Sequence, residues 1–181
     1  KTLPVLGPIE VSGSGDTTYH TIPSFSFTDQ TGHPFSSQQL ENKIYVASFF
    51  FATCKSVCPK MNEQVLKVQN AFKEDTSVQI VSFTVDPESD SVAALNAYGE
   101  KMHIDPKVWH LLTGNKDSIY TIAREGYLVP AAEGKTANDF FHSQDLMLID
   151  TKHRIRSIID GTDPAEVDSL IDEIKLLKVV G

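Results

Sequence analysis

Apolar residues follow two rhythms along this chain, and each predicts a kind of element. Residues 44–51 read Ile-Tyr-Val-Ala-Ser-Phe-Phe-Phe and 78–85 read Val-Gln-Ile-Val-Ser-Phe-Thr-Val. Such β-branched and aromatic runs predict strands covered on both faces. Phe25-Ser26-Phe27 alternates like a half-buried strand, and Asp29-Gln30-Thr31-Gly32 turns it into a second short strand around Pro34-Phe35. A short strand is expected over 108–112, closed by Thr113-Gly114, and a hairpin over 146–149 and 155–159 around Asp150-Thr151-Lys152-His153. Helical spacing appears from Pro59 onward in Met61, Val65, Leu66, Val68, Gln69 and Phe72, with Pro59 suited to a first helical position. Further helices are predicted over 37–42, 91–103, 117–124 with Gly126 as its stop, and 164–179. In the last, Val167, Leu170, Ile171, Ile174 and Leu177 form one apolar stripe.

Strands that alternate with helices and end in a hairpin and a last helix describe an α/β sandwich of thioredoxin type. The opening, residues 1–24, is rich in Gly, Ser, Thr and Pro and turns at Ser12-Gly13-Ser14-Gly15-Asp16, so it predicts an N-terminal β extension. With no internal repeat or dividing linker, residues 1–181 are expected to form a single thioredoxin-like domain.

Charge narrows the function classes. A formal net charge of −8 gives no basic footprint for nucleic acid, and an acidic surface instead suits cationic partners or metal ions. The longest apolar runs, 44–52 and 146–149, fall well short of the roughly 18 residues of a membrane span. Membrane attachment is therefore expected only through an anchor absent from this chain, which begins at Lys1 without a signal pattern.

Both cysteines lie in one segment, Cys54-Lys55-Ser56-Val57-Cys58-Pro59, between a buried strand and a helix. A helix N-terminus carries partial positive charge and free amides, which favour a thiolate. Residues four apart on a helix have Cβ atoms about 5 to 6 Å apart, so the pair can clamp a soft metal or close a reversible disulfide. A structural disulfide and a zinc site are the bland readings, although structural zinc normally takes four Cys or His ligands and only two thiols exist. Thiolates suit Cu(I), and an imidazole added to them suits Cu(II) as well. Of the six histidines, His20, His33 and His153 fall in turns or near termini, and His103 and His110 near a helix end and within a strand. His142 stands at a strand entry, from which a side chain can reach a neighbouring loop. Met61 reads as core filler ahead of an extra soft ligand.

Three segments carry a resemblance. Cys54-Lys55-Ser56-Val57-Cys58-Pro59 is similar to the Cys-x-x-x-Cys-Pro segment of the SCO/SenC copper proteins, Asp86-Pro87-Glu88-Ser89-Asp90 to their Asp-Pro-Glu-x-Asp loop, and Trp109-His110-Leu111-Leu112-Thr113-Gly114 to their Trp-x-x-Leu-Thr-Gly strand. The resemblance covers residues 25–177 and implies a thioredoxin-like fold in which the late hairpin is inserted. It also implies one copper ion, Cu(I) or Cu(II), held by Cys54, Cys58 and His142, with Asp86 beside the ligands. The implied role is delivery of copper or electrons, outside the cytoplasm and usually from a membrane anchor, to the binuclear copper centre of cytochrome c oxidase. The partner is then the copper-accepting subunit of that enzyme or another copper protein, with a thiol reductase as a further candidate. Lys55 stands where many relatives have Pro, and Phe141 where many have Asp; neither change removes a ligand. The rival reading is an enzyme or sensor, an extracytoplasmic thiol-disulfide oxidoreductase using Cys54 and Cys58 as its redox pair. Its usual two-residue cysteine spacer differs from the three residues here. A peroxidase is disfavoured by Phe51, where such enzymes carry Thr or Ser.

Overall fold

A computed structural model describes residues 2–53, 57–129 and 143–180, with the backbone alone at 57 and 58. Its centre is a five-stranded sheet in the order β7-β6-β5-β8-β9. Strands β5 (Ile44–Phe50), β6 (Val78–Thr84) and β7 (Trp109–Leu112) run parallel, in register from Ile44 opposite Val78 to Phe50 opposite Thr84. Strand β8 (Asp145–Ile149) is antiparallel to β5, with Ala47 opposite Met147, and β9 (Ile155–Asp160) is antiparallel to β8. Every residue of β5 and β6 is buried, as the unbroken apolar runs require. The mixed α/β architecture around this sheet is thioredoxin-like.

Helices α1 (Val57–Ala71), α2 (Val92–Lys101) and α4 (Pro164–Val180) belong to one layer: Asn62 of α1 donates to the Tyr98 hydroxyl of α2 at 2.6 Å, and α1 packs on α4. The other face carries an aromatic cluster, in which the rings of Phe25 and Phe27 meet Phe83 edge-on, and Phe83 stacks on Phe49 with centroids 5.2 Å apart. Phe27 belongs to β3 (Ser26–Thr28), which forms a hairpin with β4 (Pro34–Ser36). That hairpin covers the β7 edge of the sheet, whose residues are all buried. Thr28 exchanges two backbone hydrogen bonds with Thr113, and the Gln30 side chain donates to the Trp109 carbonyl and accepts from the Leu111 N–H. Gly114 is required there, because a Cβ on it would stand 2.8 Å from the Phe27 ring.

The predicted N-terminal extension exists as a two-stranded ribbon, β1 (Ile9–Val11) and β2 (Thr17–Tyr19), and it is tied down. Arg156 donates to the carbonyls of Leu3 and Pro4, and Leu6 donates to the Ile155 carbonyl. Three expectations are corrected. Helix α1 starts at Val57, so Pro59 is its third residue, accommodated because first-turn N–H groups lack intrahelical acceptors anyway. The segment expected as one helix over 117–124 is α3 (Lys116–Thr121) followed by a π-helical turn, Ile122–Gly126. Gly126 does not supply a left-handed stop, since the positive φ falls at Leu128; its missing Cβ instead admits Ile122 and Pro23. The helix expected over 37–42 is a single 3₁₀ turn, Ser37–Leu40, ended before Asn42, which adopts a left-handed φ of 61°.

Candidate metal centre

Parallel pairing of β5 with β6 and antiparallel pairing of β5 with β8 bring three chain ends to one rim of the sheet: the end of β5, the end of β6 and the start of β8. In sequence, Cys54 comes four residues after β5 ends at Phe50, Asp86 two residues after β6 ends at Thr84, and His142 three residues before β8 begins at Asp145. Cys54 and His142 lie outside the described residues, and Cys58 is described only as the second residue of α1.

The scaffold beneath these positions is closely packed. Helix α1 and the start of β8 converge on Gly161, where a Cβ would stand 2.8 Å from both Met61 Cγ and Leu146 Cγ. The Gly161 N–H donates to the Gln144 carbonyl at 2.7 Å, pinning the entry to β8. Met61, one turn beyond Cys58, is completely buried in this junction, which fits its reading as core filler.

Asp86 is buried at 7% exposure, and its N–H donates to Thr84 Oγ1 at 3.0 Å. Its carbonyl accepts from the Ser89 and Asp90 N–H groups, which closes the Asp-Pro-Glu-Ser-Asp segment into a turn. The residue that joins this turn to the cysteine loop is Asp90. At 1% exposure, its Oδ2 accepts from the Ala52 N–H at 2.9 Å and from the Thr84 hydroxyl at 2.6 Å. Burial pushes the Asp90 carboxyl above its usual range, the two hydrogen bonds oppose that, and the nearby Asp86 charge adds to it. At the start of β8, burial and then the charges of Asp160 and Glu166 likewise push Asp145 up. This rim is thus rich in carboxylates, a setting that attracts cations. Asp90 had no individual role in the sequence reading; only its place at the end of the Asp-Pro-Glu motif marked it.

Four of the other histidines are held by local bonds, and the fifth, His103, is exposed just past the end of α2 with a left-handed φ of 59°. His20 Nε2 donates to the Gly126 carbonyl at 2.7 Å, His33 pairs with Thr31, and His153 meets Glu41. His110 lies mid-strand opposite Val81, donates from Nε2 to Gln79 Oε1 and packs on the Phe35 ring. Its pKa is pushed down to about 4, chiefly by burial. Among the described residues, no three His, Cys, Asp or Glu side chains gather as a metal nest.

The SCO1/SenC family model matches residues 14–177. This chain belongs to the SCO1/SenC family. A SCO1 protein homolog of Bacillus subtilis is 25% identical over 158 residues, covering 86% of this chain and 82% of that protein. The crystal structure of a SCO1/SenC family lipoprotein from Bacillus anthracis superposes with a TM-score of 0.80 at 31% identity, covering 88% of this chain and 95% of the other. The structure of Bradyrhizobium japonicum ScoI with copper bound gives 0.70 at 25% identity, covering 85% and 99%. Against a rickettsial relative from Rickettsia conorii and a mouse mitochondrial one, this SCO1/SenC chain spans only 45% and 39% of their lengths.

Proposed function

We propose that this chain is a copper metallochaperone that holds one copper ion through Cys54, Cys58 and His142, with Asp86 beside the ligands. It delivers that copper, or reducing equivalents, during assembly of the binuclear copper centre of cytochrome c oxidase. The observation that carries the proposal is topological: the strand ends that lead into Cys54, Asp86 and His142 meet at one rim of the sheet, over a junction where α1 and β8 pack on Gly161. The donor set fits copper, since two thiolates suit Cu(I) and an added imidazole accommodates Cu(II). Family membership and the copper-bound relative support the choice of ion. The protein works outside the cytoplasm as one thioredoxin-like domain, residues 1–181, attached to a membrane, with the copper-accepting oxidase subunit as partner.

His142→Ala tests the proposal, because the metal site needs this residue and thiol exchange does not. The variant should lose retention of Cu(I) and Cu(II) after a chelator wash and lose the thiolate-to-copper absorption bands, while Cys54 and Cys58 still form and release their disulfide. A variant that keeps the wild-type copper spectrum, in a chain that reduces mixed disulfides as fast as a thioredoxin, would instead establish the oxidoreductase reading.

A further inference from the structure

Strand β3 has an open edge beside the rim that carries the candidate metal centre. Antiparallel ladders alternate hydrogen-bonded and non-hydrogen-bonded pairs. Asp29 donates to His33 and Ser37 donates to Phe25, so Phe27 opposite Phe35 is a bonded pair and Ser26 opposite Ser36 is not. The Ser26 N–H and C=O therefore point away from β4, toward the side on which Thr28 pairs with Thr113. Beyond Thr113 the chain turns away through Gly114 and the N-cap Asn115 into α3, which leaves Ser26 facing a groove in place of a strand.

That groove holds about 670 Å³ between β3 and the α3–π-helical segment, and Ser24, Ser26, Ser118 and Thr121 line it as exposed hydroxyls. Among the described residues, its only charged lining side chains are Asp117 and Glu125, both acidic and both exposed. It continues past Gly114 and Asn115 into a smaller depression of about 410 Å³ lined by Pro87, Glu88 and Lys116, next to Asp86. An exposed peptide edge is a template for strand addition, in which main-chain bonds give affinity and flanking side chains choose the sequence.

We infer that this groove docks an extended, lysine- or arginine-bearing segment of the partner protein by strand addition to β3 at Ser26, with Asp117 and Glu125 selecting its positive charge. The identity of that partner as the copper acceptor rests on the function proposed above; the groove itself does not. Docking there would bring the partner's chain alongside the Asp86 turn.

The probe is a capped heptapeptide, Thr-Lys-Val-Lys-Val-Lys-Thr, and its control carries Glu at each Lys. Titrated into the isotope-labelled chain, the lysine peptide should shift backbone amide resonances of Ser24, Ser26, Ser118 and Thr121, and should bind more weakly as salt rises. The double charge reversal Asp117→Lys, Glu125→Lys should weaken it about tenfold, as expected when a pair of complementary charges is inverted. Ser26→Pro, which removes the N–H that the incoming strand would use, should abolish binding. Because a proline can also disturb β3 itself, the charge reversal at two exposed helix positions stands as the independent check. No saturable shift with the lysine peptide, equal binding of the glutamate peptide, or undiminished binding by the charge-reversed chain would each overturn the inference. Copper retention is measured in parallel: a chain that binds copper but not peptide refutes the groove alone, and one that binds peptide but not copper refutes the metal site alone.

Discussion

Each end of the central sheet buries an aspartate, and the two are treated in opposite ways. At the rim where β5 and β6 end, Asp90 faces neutral donors, the Ala52 amide and the Thr84 hydroxyl, with another carboxylate close by. At the far rim, past the end of β8, Asp150 sits between two guanidinium groups, from Arg154 at 2.8 Å and Arg156 at 2.9 Å. Burial pushes the Asp150 carboxyl up, but the Arg154 amide, the Arg156 guanidinium and the remaining donors outweigh it and hold the pKa below the usual value of 3.8. Arg156 also grips the carbonyls of Leu3 and Pro4, so the far rim fastens the N-terminal segment. One end spends its buried charge on holding the chain together. The other keeps negative charge uncompensated by arginine beside the cysteine loop, where a cationic ligand can supply the compensation.

Asp150→Ala should produce the largest loss. Removing the carboxylate from a buried ion pair withdraws the negative charge that two guanidinium groups share and costs about 3 to 5 kcal/mol, which for a chain of this size lowers Tm by on the order of 10 °C. Calorimetry checks this, and copper bound per folded chain should be unchanged. The sign with pH follows from the depressed pKa. Asp150 adds stability above its unfolded value of 3.8 and loses it as pH falls through the folded value, so the variant's stability should decline less steeply in acid. If Asp150→Ala altered the copper spectrum as much as the stability, the division of labour between the rims would fail.

The near rim should answer differently. Asp90→Ala strands the Ala52 N–H and the Thr84 hydroxyl, a cost of about 1 to 3 kcal/mol, and frees the base of the cysteine loop, which should alter the Cu(II) absorption bands and the Cys54–Cys58 reduction potential. Asp90→Asn keeps an acceptor oxygen and removes the charge, so it should restore most of the spectrum. Because the Asp90 pKa is raised, the folded state pays for its ionisation as pH rises from the unfolded value through the folded one. The stability of Asp90→Asn relative to wild type should therefore improve over that interval. Identical spectra for Asp90→Ala and wild type would show that the carboxylate plays no part in positioning the loop.

His110 sits away from both rims and gives the smallest effect. It is neutral when folded, with a pKa of about 4 against 6.5 unfolded, so protonation penalises the fold progressively as pH falls from 6.5 toward 4. His110→Gln, which keeps a donor for the buried Gln79 Oε1 and cannot be protonated, should flatten the stability profile across that interval, change stability at pH 7 by about 1 kcal/mol, and leave copper retention intact. Denaturant titrations at several pH values read the slope.

Much of this was legible in the sequence because the pattern and the packing agree. The runs at 44–51 and 78–85 became β5 and β6 almost to the residue, and the stripe of Val167, Leu170, Ile174 and Leu177 became the buried face of α4. What escaped was decided by groups distant in sequence. The start of α1 at Val57 and the π-helical turn before Tyr127 have no composition signal, since Pro59 and Gly126 each suggested a different boundary. Asp90 looks like any turn carboxylate until Ala52, 38 positions earlier, is seen to donate to it. For the site itself, the thiol spacing named the chemistry and the strand order supplies the rim, while the choice of His142 came from family resemblance.

The Gln30 amide has one more consequence. By bonding both the Trp109 carbonyl and the Leu111 N–H, it occupies peptide groups of β7 that a second molecule would need to extend the sheet. One side chain therefore closes the middle of this edge to strand addition. A replacement such as Gln30→Leu, which offers neither donor nor acceptor, leaves an edge onto which further copies can add, so damage at this position would first appear as loss of solubility and only later as loss of structure.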